Sequence, residues 1–295
     1  MKNIARALRL PFISASITPF IFGSLIQKAN FNFSGFIFGF LAVVATHLSA
    51  NLINDYADSK SGADWHDKKF FGLFGGSKLI QEHTFSERFY FRAAAIAAGL
   101  SCLSVIILSL VIKSIIVLVY YLAIIFLSWA YSQPPFKFSY RRVGELVIFL
   151  LFGPALVMGG YFIQTGIFPD IKSFVLSLPF GFLTTAILFA NEVPDLSEDK
   201  KAGKLTWVSI TGQYRAFGVY YLLMLSALLS ILMGIVLGYL GVISSLSFLC
   251  IFLAIKSANI IRKYPEDKLR LFKSSKLTIA IHNIISAILI TDTFL

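Results

Sequence analysis

The stretch FSGFIFGFLAVVATHLSANLINDYAD, residues 33–58, determines the kind of fold this chain can adopt. It begins with an apolar run, residues 33–53, close to the roughly 20 residues that a helix needs to span a bilayer. It ends in a cluster of polar side chains that contains Asn54, Asp55 and Asp58. Carboxylates beside hydrocarbon are costly, so a chain that keeps them there is expected to use them. The stretch therefore predicts a membrane-spanning helix with a functional end.

The whole chain is too apolar for a soluble globular domain. Of its 295 residues, 57% are hydrophobic, 15% are aromatic and only 14% are charged, and the mean hydropathy is +0.78. These values are typical of an integral membrane protein. Runs near bilayer-spanning length predict an all-α membrane protein of about nine helices in one domain, residues 1–295. The runs are residues 11–27, 33–53, 93–112, 114–131, 145–163, 173–191, 216–238, 240–261 and 276–294.

The distribution of basic residues predicts the orientation. With a cytoplasmic N-terminus, all of the 26 Lys and Arg residues fall on cytoplasmic segments except Lys28, Lys113 and Lys172. This asymmetry follows the positive-inside rule, and it accounts for the formal net charge of +11 without a nucleic-acid partner. We therefore expect a multi-pass protein of the inner (cytoplasmic) membrane whose active site faces the cytoplasm.

One face of the second predicted helix is polar from its middle to its cytoplasmic end. At about 100° per residue, four polar side chains fall within an arc of about 60°. They are His47, Asn51, Asn54 and Asp58, with Asp55 about 40° further round. His47 differs from the other histidines, which fit ordinary packing positions, because it shares this face.

A second acid cluster ends the sixth predicted helix. Its sequence, Asn191-Glu192-x-x-Asp195-x-x-x-Asp199, has nearly the design of the first cluster. If the helix continues through Pro194, then Asn191, Asp195, Glu198 and Asp199 share an arc of about 100°. Mg²⁺ prefers oxygen ligands and is usually held by one or two carboxylates together with substrate phosphates. Two acid clusters that face each other therefore predict Mg²⁺ on both sides of a diphosphate.

Basic and glycine residues near the clusters fit a phosphate ligand. Lys60 and the run Gly75-Gly76-Ser77-Lys78 follow the first cluster, and Lys200, Lys201 and Lys204 follow the second. Lysines supply positive charge to phosphate, and glycines allow backbone N–H groups to approach it. Taken alone, the glycine run favours a flexible turn. It points to phosphate because it stands beside the two acid clusters.

The order and spacing of these motifs resemble the UbiA superfamily of intramembrane prenyltransferases. The resemblance rests on Asn51-x-x-Asn54-Asp55-x-x-Asp58, Ser61-Gly62-Ala63-Asp64, Gly75-Gly76-Ser77 and Asn191-x-x-x-Asp195-x-x-x-Asp199-x-x-x-Gly203-Lys204. Further landmarks are Arg9-Leu10-Pro11, Tyr131 with Pro134-Pro135, Gly144-Glu145 and Phe152-Gly153-Pro154. The glycine-containing loop is most similar to the menaquinone branch, 1,4-dihydroxy-2-naphthoate polyprenyltransferase. That branch usually has Asn-Asn-x-Arg-Asp in the second motif, whereas Asn191-Glu192-Val193-Pro194-Asp195 lacks the arginine.

This resemblance implies a ring of about nine helices around a central cavity, capped by cytoplasmic loops at about 54–92 and 193–215. The implied ligands of Mg²⁺, expected as two ions, are Asp55, Asp58, Asp195 and Asp199. The implied contacts to the diphosphate are Asn51, Asn54, Lys78, Tyr131, Lys137, Arg141, Asn191, Lys201 and Lys204. A dry interior would protect an allylic cation from capture by water.

The resemblance also implies the reaction, which is Mg²⁺-dependent transfer of a polyprenyl group from its diphosphate to an aromatic carbon. The expected acceptor is 1,4-dihydroxy-2-naphthoate, which would lose its carboxylate and give demethylmenaquinone. Arg9 and Arg142 are candidates to bind that carboxylate, and Asp64 and Glu145 are candidates for the base. Glu145 fits equally well as an acid favoured by a helix N-terminus. The expected partners are the polyprenyl diphosphate, the aromatic acceptor and the lipid bilayer, without an obligate protein partner.

Other interpretations remain open. The acceptor could be 4-hydroxybenzoate, homogentisate, haem or a glycerol-phosphate ether lipid. A secondary transporter would hold its ionisable residues near the bilayer midplane, often in inverted repeats, whereas these clusters lie at helix ends. A CDP-alcohol phosphotransferase would carry its acids in one continuous signature. In a purely structural membrane protein the acids would be solvated helix caps.

Overall fold

The computed structural model describes residues 2–62, 65 and 69–295. These residues form twelve α-helices and no β-strand. The helices are α1 Lys2–Ala7, α2 Ser14–Leu25, α3 Phe33–Ser61, α4 Glu87–Val111, α5 Ile116–Ser132, α6 Gly144–Phe152, α7 Pro154–Thr165, α8 Ile171–Lys201, α9 Trp207–Thr211, α10 Ala216–Val236, α11 Ile251–Lys263 and α12 Lys268–Asp292. Short 3-10 helices at Leu10–Phe12, Phe138–Tyr140 and Val242–Cys250 precede α2, α6 and α11.

Within the described part of the chain, seven helical segments are long and apolar enough to cross a membrane. They are Phe33–Ser61, Glu87–Val111, Gly144–Thr165, Ile171–Lys201, Ala216–Val236, Val242–Lys263 and Lys268–Asp292. Two shorter apolar helices, Leu10–Leu25 and Ile116–Ser132, coincide with the first and fourth predicted runs. The predicted all-helical, multi-pass class is therefore confirmed. The ring of nine helices and its cytoplasmic cap stay predictions.

The two longest helices carry the two acid clusters, and each begins at a side-chain cap. The N-cap of α3 is Asn32, whose side-chain oxygen accepts a hydrogen bond of 2.9 Å from the Gly35 N–H. The N-cap of α8 is Asp170, which accepts one of 2.7 Å from the Ser173 N–H. Such caps satisfy backbone donors that the first helical turn leaves without partners. Both helices then run uninterrupted from their caps to their acid clusters.

The helix α8 lies in the middle of the bundle, where it contacts α6, α7, α10 and α12. Most of its apolar part, 78%, is buried inside the protein, more than for any other candidate span of the described chain. It continues through Pro194 to Lys201, so that Asp195 and Asp199 lie one turn apart on one helix. The helical geometry on which the second acid cluster depends is therefore present.

The helices α2 and α7 approach each other through glycines. A Cβ atom added to Gly160 would lie 2.6 Å from the Phe20 carbonyl oxygen and 2.8 Å from the Ser24 nitrogen. A Cβ atom added to Gly23 would lie 2.2 Å from the Val157 carbonyl oxygen. These neighbours are backbone atoms, which cannot rotate away as side chains do. Small residues at a crossing between membrane helices allow this close approach.

We predict that Gly160→Ala destabilises the protein, whereas Gly99→Ala does not. The added methyl group of Gly160→Ala must separate α2 from α7, and overpacking of this kind costs about 1–3 kcal/mol. At Gly99, on α4, an added Cβ has no neighbour within 4 Å. Thermal unfolding in detergent should show a lower Tm for Gly160→Ala and an unchanged or slightly higher Tm for Gly99→Ala. Equal melting temperatures for the two variants would contradict the tight crossing.

Candidate active site

A cavity of about 330 Å³ lies between the helices and joins a polar end to an apolar end. The polar lining comes mainly from α3, α8 and the loops after them: Asn51, Asn54, Asp58, Lys78, Asn191, Glu192, Asp195, Asp199 and Lys204. The apolar lining comes from α2, α3, α4, α5 and α7: Phe20, Gly39, Ala42, Val105, Leu108, Val117, Tyr121, Phe162 and Ile163. The cavity can therefore hold a molecule with a charged head and a hydrocarbon tail.

The polar face predicted for α3 lines this cavity. All four side chains of the 60° arc, His47, Asn51, Asn54 and Asp58, belong to the lining. Asp55 does not, although it is a predicted metal ligand. It is 2% exposed, forms an ion pair with the Arg9 guanidinium and accepts a hydrogen bond of 3.3 Å from the Ser77 N–H. In this structure Asp55 therefore holds Arg9 and the loop, and Arg9 lines the cavity.

The predicted face of α8 lies across the cavity from α3. It contributes Asn191, Asp195, Glu198 and Asp199 to the lining. The Asp195 Oδ2 atom accepts a hydrogen bond of 2.8 Å from the Gly75 N–H. Asp199 forms an ion pair of 3.6 Å with Lys204, which follows the end of α8. The fold therefore brings both acid clusters to one space, as their similar design suggested.

The glycine-containing loop connects the two clusters. Its Gly75 N–H bonds to Asp195 on α8, and two residues later the Ser77 N–H bonds to Asp55 on α3. The Ser77 hydroxyl lies 2.6 Å from the Tyr90 hydroxyl, which fixes the loop against α4. Gly75 has φ +73°, a left-handed conformation that favours glycine, and an added Cβ there would lie 3.6 Å from Asp195 Oδ1. The run is thus an ordered turn with its backbone donors at the site.

Lys204 is a buried cation beside the acids. Burial lowers the pKa of Lys204, but the nearby carboxylates of Asp199 and Asp58 outweigh it and hold the pKa well above its usual value. The ammonium therefore stays charged throughout the physiological pH range. Tyr140 stands next to it: the Lys204 Nζ lies 5.9 Å from the Tyr140 ring centroid, and the Tyr140 hydroxyl donates to Asp58 Oδ1 at 3.1 Å. Burial, together with the Asp58 charge, raises the pKa of Tyr140, which stays a neutral donor.

Of the remaining predicted contacts to diphosphate or acceptor, Tyr131 and Lys78 line the cavity and four basic residues do not. Lys201 is exposed. The guanidinium of Arg141, also exposed, donates to the Pro135 carbonyl oxygen at 2.7 Å, and Lys137 lies 5.1 Å from the Tyr140 ring centroid. Arg142 is exposed, and its carbonyl oxygen accepts a hydrogen bond from the Trp207 indole N–H. Their roles at the site stay predictions.

The two candidates for the base have different outcomes. Glu145 is 1% exposed and lies outside the cavity lining, and its Oε1 atom accepts a hydrogen bond from the backbone N–H of Trp207, the first residue of α9. In this structure it therefore anchors α9 against the start of α6. Asp64 lies outside the described residues.

Several cavity residues were missed by the sequence interpretation. Lys268, the first residue of α12, lines the cavity and forms an ion pair of 3.2 Å with Glu198. In the sequence it is one of many basic residues between Lys256 and Lys276, which positive-inside anchoring explains equally well. Tyr140, which reaches the site through its contacts to Asp58 and Lys204, was also missed, and no spacing in the sequence separates it from the other tyrosines.

The donor atoms at the polar end fit Mg²⁺. No group of three or more His, Cys, Asp or Glu side chains in the described part of the chain is arranged to hold a metal by itself. Yet three buried oxygen atoms of the lining, Asp199 Oδ2, Glu192 Oε2 and Asn191 Oδ1, have no hydrogen-bond partner. Mg²⁺ is usually held by one or two carboxylates and completed by water and substrate phosphates. A site of scattered oxygen ligands that a diphosphate completes is therefore consistent with this geometry.

The sequence profile of the UbiA prenyltransferase family matches residues 16–283, and the chain belongs to this family. This confirms the predicted membership of the UbiA superfamily. Among curated proteins, UbiA prenyltransferase domain-containing protein 1 of Xenopus tropicalis is 28% identical over 224 residues, 74% of this chain and 62% of that protein. The protein of the same name from Ailuropoda melanoleuca is 30% identical over 227 residues, 72% of this chain and 62% of that protein. The chain thus matches about 62% of the length of these relatives.

Solved structures show the same fold. The apo structure of a UbiA homolog from Aeropyrum pernix K1 has a TM-score of 0.76 and 17% identity, and the similarity covers 97% of this chain and 98% of that one. A UbiA homolog from Archaeoglobus fulgidus bound to GPP and Mg²⁺ has a TM-score of 0.65 and 17% identity, with 99% and 98% covered. Digeranylgeranylglyceryl phosphate synthase has a TM-score of 0.65 and 21% identity, with 99% of each chain covered.

We predict that Arg9→Ala lowers stability much more than Lys60→Ala. Asp55 is 2% exposed, so loss of Arg9 leaves a buried carboxylate without its cation, which costs about 3 kcal/mol. Lys60 pairs with Glu87, but these side chains are 56% and 31% exposed, and surface pairs contribute about 0–1 kcal/mol. Thermal unfolding in detergent measures both effects. Similar decreases in Tm would contradict the structural role of the Arg9–Asp55 pair.

Proposed function

We propose that this protein transfers a polyprenyl group from an allylic diphosphate to an aromatic carbon. The observation that supports this most is a cavity lined by acids, lysines and backbone donors at one end and by hydrocarbon at the other. A polyprenyl diphosphate has the same two parts. Membership in the UbiA prenyltransferase family supports the same reaction, and a structural neighbour binds GPP and Mg²⁺.

The diphosphate would occupy the polar end of the cavity. Lys204 would place a buried positive charge beside the departing diphosphate, where negative charge builds as the bond to the allylic carbon breaks. Asp58, Asp195 and Asp199 would hold Mg²⁺, with Asn51, Asn54 and Asn191 contacting the metal or the phosphates. When bound, Mg²⁺ would supply further neutralisation of the leaving group. The negative charge on the diphosphate grows as the reaction proceeds. Positive charges beside it therefore stabilise the transition state more than the bound substrate.

The prenyl chain would occupy the apolar end. Gly39 and Asp55 both lie on α3, 16 residues apart, which is about 24 Å along the helix axis. A chain of several isoprene units fits along such a length. The apolar walls exclude water from the allylic cation, which water would otherwise convert into a prenyl alcohol.

The acceptor that we propose is 1,4-dihydroxy-2-naphthoate, with the quinol form of demethylmenaquinone as the product and a site that faces the cytoplasm of the inner membrane. The glycine-containing loop, which is similar to that of the menaquinone branch, supports this choice. Arg9 supports it as well, since a guanidinium in the cavity lining suits a ring that carries a carboxylate. The carboxylate leaves as carbon dioxide, its bonding electrons restore the aromatic ring, and no oxidant is needed.

We predict that Lys204→Met lowers kcat/KM for the prenyl diphosphate at least about tenfold, through a lower kcat as well as a higher KM, because it removes a buried charge beside the departing diphosphate. Lys201→Met is the matched control. This lysine is exposed and lies outside the cavity lining, so kcat/KM should stay within about twofold of the unsubstituted protein. Lys204→Arg, which keeps the charge, should retain part of the activity. Equal effects of Lys204→Met and Lys201→Met would contradict this assignment.

A product assay on the purified protein in detergent tests the proposed function. Labelled polyprenyl diphosphate and Mg²⁺ are supplied with 1,4-dihydroxy-2-naphthoate, 4-hydroxybenzoate or a glycerol-phosphate ether lipid in parallel. We expect a prenylated naphthol, release of carbon dioxide, loss of both on addition of EDTA and recovery with excess Mg²⁺. Product from only one of the other acceptors would show that the protein prenylates that acceptor and would contradict the naphthoate assignment. Failure to cleave the diphosphate under any condition would contradict prenyl transfer.

A further inference from the structure

A second polar site lies deeper in the cavity than the acid clusters. His47 lies on α3, two helical turns and about 12 Å before Asp55. Its Nδ1 atom is 2.6 Å from the Ser16 hydroxyl on α2, and both residues belong to the cavity lining. His47 is 7% exposed, and its Nε2 atom is buried without a hydrogen-bond partner. The ring is therefore fixed at one nitrogen and unsatisfied at the other.

An unsatisfied Nε2 inside an apolar bundle is costly. Leaving a buried donor or acceptor without a partner costs about 1–3 kcal/mol. His282 on α12 has a buried Nε2 without a partner as well, but it is outside the cavity lining and packs edge-on against Phe180. The two histidines have the same chemistry, and only His47 is accessible to a bound molecule. His282 therefore serves as the internal control for His47.

Arg9 and His47 are two polar groups at different depths of the cavity wall, and we call the space between them the slot. Arg9 lies at the level of Asp55, with which it pairs, and His47 lies at the deeper level. Phe12, at the end of the 3-10 helix before α2, and Ala15 of α2 line one side, and Asn51 of α3 lines the other. The Phe152 ring of α6 stands edge-on to His47, with ring centroids 6.0 Å apart. Such a space suits a flat aromatic molecule with a polar group at each end.

We propose that the aromatic acceptor binds in this slot and that His47 Nε2 hydrogen-bonds a ring hydroxyl of the acceptor. This inference deepens the proposed function and rests on it. Arg9 holds the acceptor carboxylate at the other end, and Ser16 positions the His47 ring. Either tautomer serves, because a phenolic hydroxyl can donate to an unprotonated Nε2 or accept from a protonated one. The acceptor thereby satisfies the nitrogen that the protein leaves without a partner.

The prenyl chain does not account for His47. A hydrocarbon chain beside the imidazole would bury Nε2 without giving it a partner. The lining contributed by α4, α5 and α7, which includes Leu108, Val117 and Phe162, contains no charged side chain and no histidine. The two substrates therefore use different walls of one cavity. They meet below the acid clusters, where the allylic carbon leaves its diphosphate.

Two substitutions at His47 separate this proposal from a packing role. The side-chain amide of His47→Gln can place a polar atom near the position of Nε2, whereas that of His47→Asn reaches only as far as Nδ1. We expect the KM for the naphthoate to rise at least about tenfold in His47→Asn and clearly less in His47→Gln, with the KM for the prenyl diphosphate within about twofold in both. His282→Asn, the control, should leave the naphthoate KM unchanged even if it lowers Tm. A rise in naphthoate KM of the same size in all three variants would overturn the proposal.

A ligand series identifies the hydroxyl. Dissociation constants are measured in the absence of prenyl diphosphate for 1,4-dihydroxy-2-naphthoate and for analogues that lack the 1-hydroxyl or the 4-hydroxyl, so that binding is compared without any contribution from ring reactivity. Removal of the contacted hydroxyl should weaken binding at least about tenfold in the unsubstituted protein and less than about twofold in His47→Asn. Equal losses of affinity in the unsubstituted protein and in His47→Asn would contradict the contact between His47 and the hydroxyl, but would not contradict prenyl transfer. If the unsubstituted protein prenylates no aromatic acceptor, the proposed function fails, and this inference fails with it.

Discussion

The burial of carboxylates at the ends of two apolar helices is the constraint on which the rest of the structure depends. A buried acid must be neutralised or hydrogen-bonded, because an isolated charge in a medium of low dielectric constant is too costly. The protein satisfies these acids partly, through Arg9, Lys204 and the backbone N–H of Gly75. The oxygen atoms that remain without partners, such as Asp199 Oδ2, are those that a metal and a diphosphate can complete. The hydrogen bonds and ion pairs that the acids do make thus stabilise the fold, while their remaining oxygen atoms stay able to bind a ligand.

The deeper part of the cavity shows the same partial satisfaction of buried polar groups as the acid clusters. The glycine-containing loop ties α3 to α8 through Asp55 and Asp195, and this fixes the distance between the two walls of the polar end. Below it, His47 repeats the pattern, since its Nδ1 atom is held by Ser16 and its buried Nε2 atom has no hydrogen-bond partner. The cavity therefore combines a charged site, an apolar channel and a polar slot, which are the three environments that a diphosphate, a prenyl chain and an aromatic acceptor need.

Much of the site could be predicted from the sequence. The residues that could not be predicted were missed for one common physical reason. The polar face of α3 follows from helical periodicity alone, and the side chains within that arc do line the cavity. Asp55 shows the limit of this argument, because its motif suggested a metal ligand while its position on the helix turns it toward Arg9. Lys201 and Lys204 are neighbours in sequence, yet one is exposed and the other is buried beside Asp199. The end of α8 lies between them, and composition does not reveal where a helix ends relative to its neighbours.

The sequence by itself determined the membrane-spanning helices, the two acid clusters and the family, because hydrophobic length, helical periodicity and motif order are local properties of the chain. Only the tertiary structure decided which charged groups share one space. Lys268 reaches Glu198 from α12, and Gly75 reaches Asp195 from a distant loop, through contacts between segments far apart in sequence. Such contacts depend on how the helices pack. The close approach of α2 and α7 at Gly23 and Gly160 is likewise a property of the tertiary structure, because the short distance between the two backbones requires glycine there.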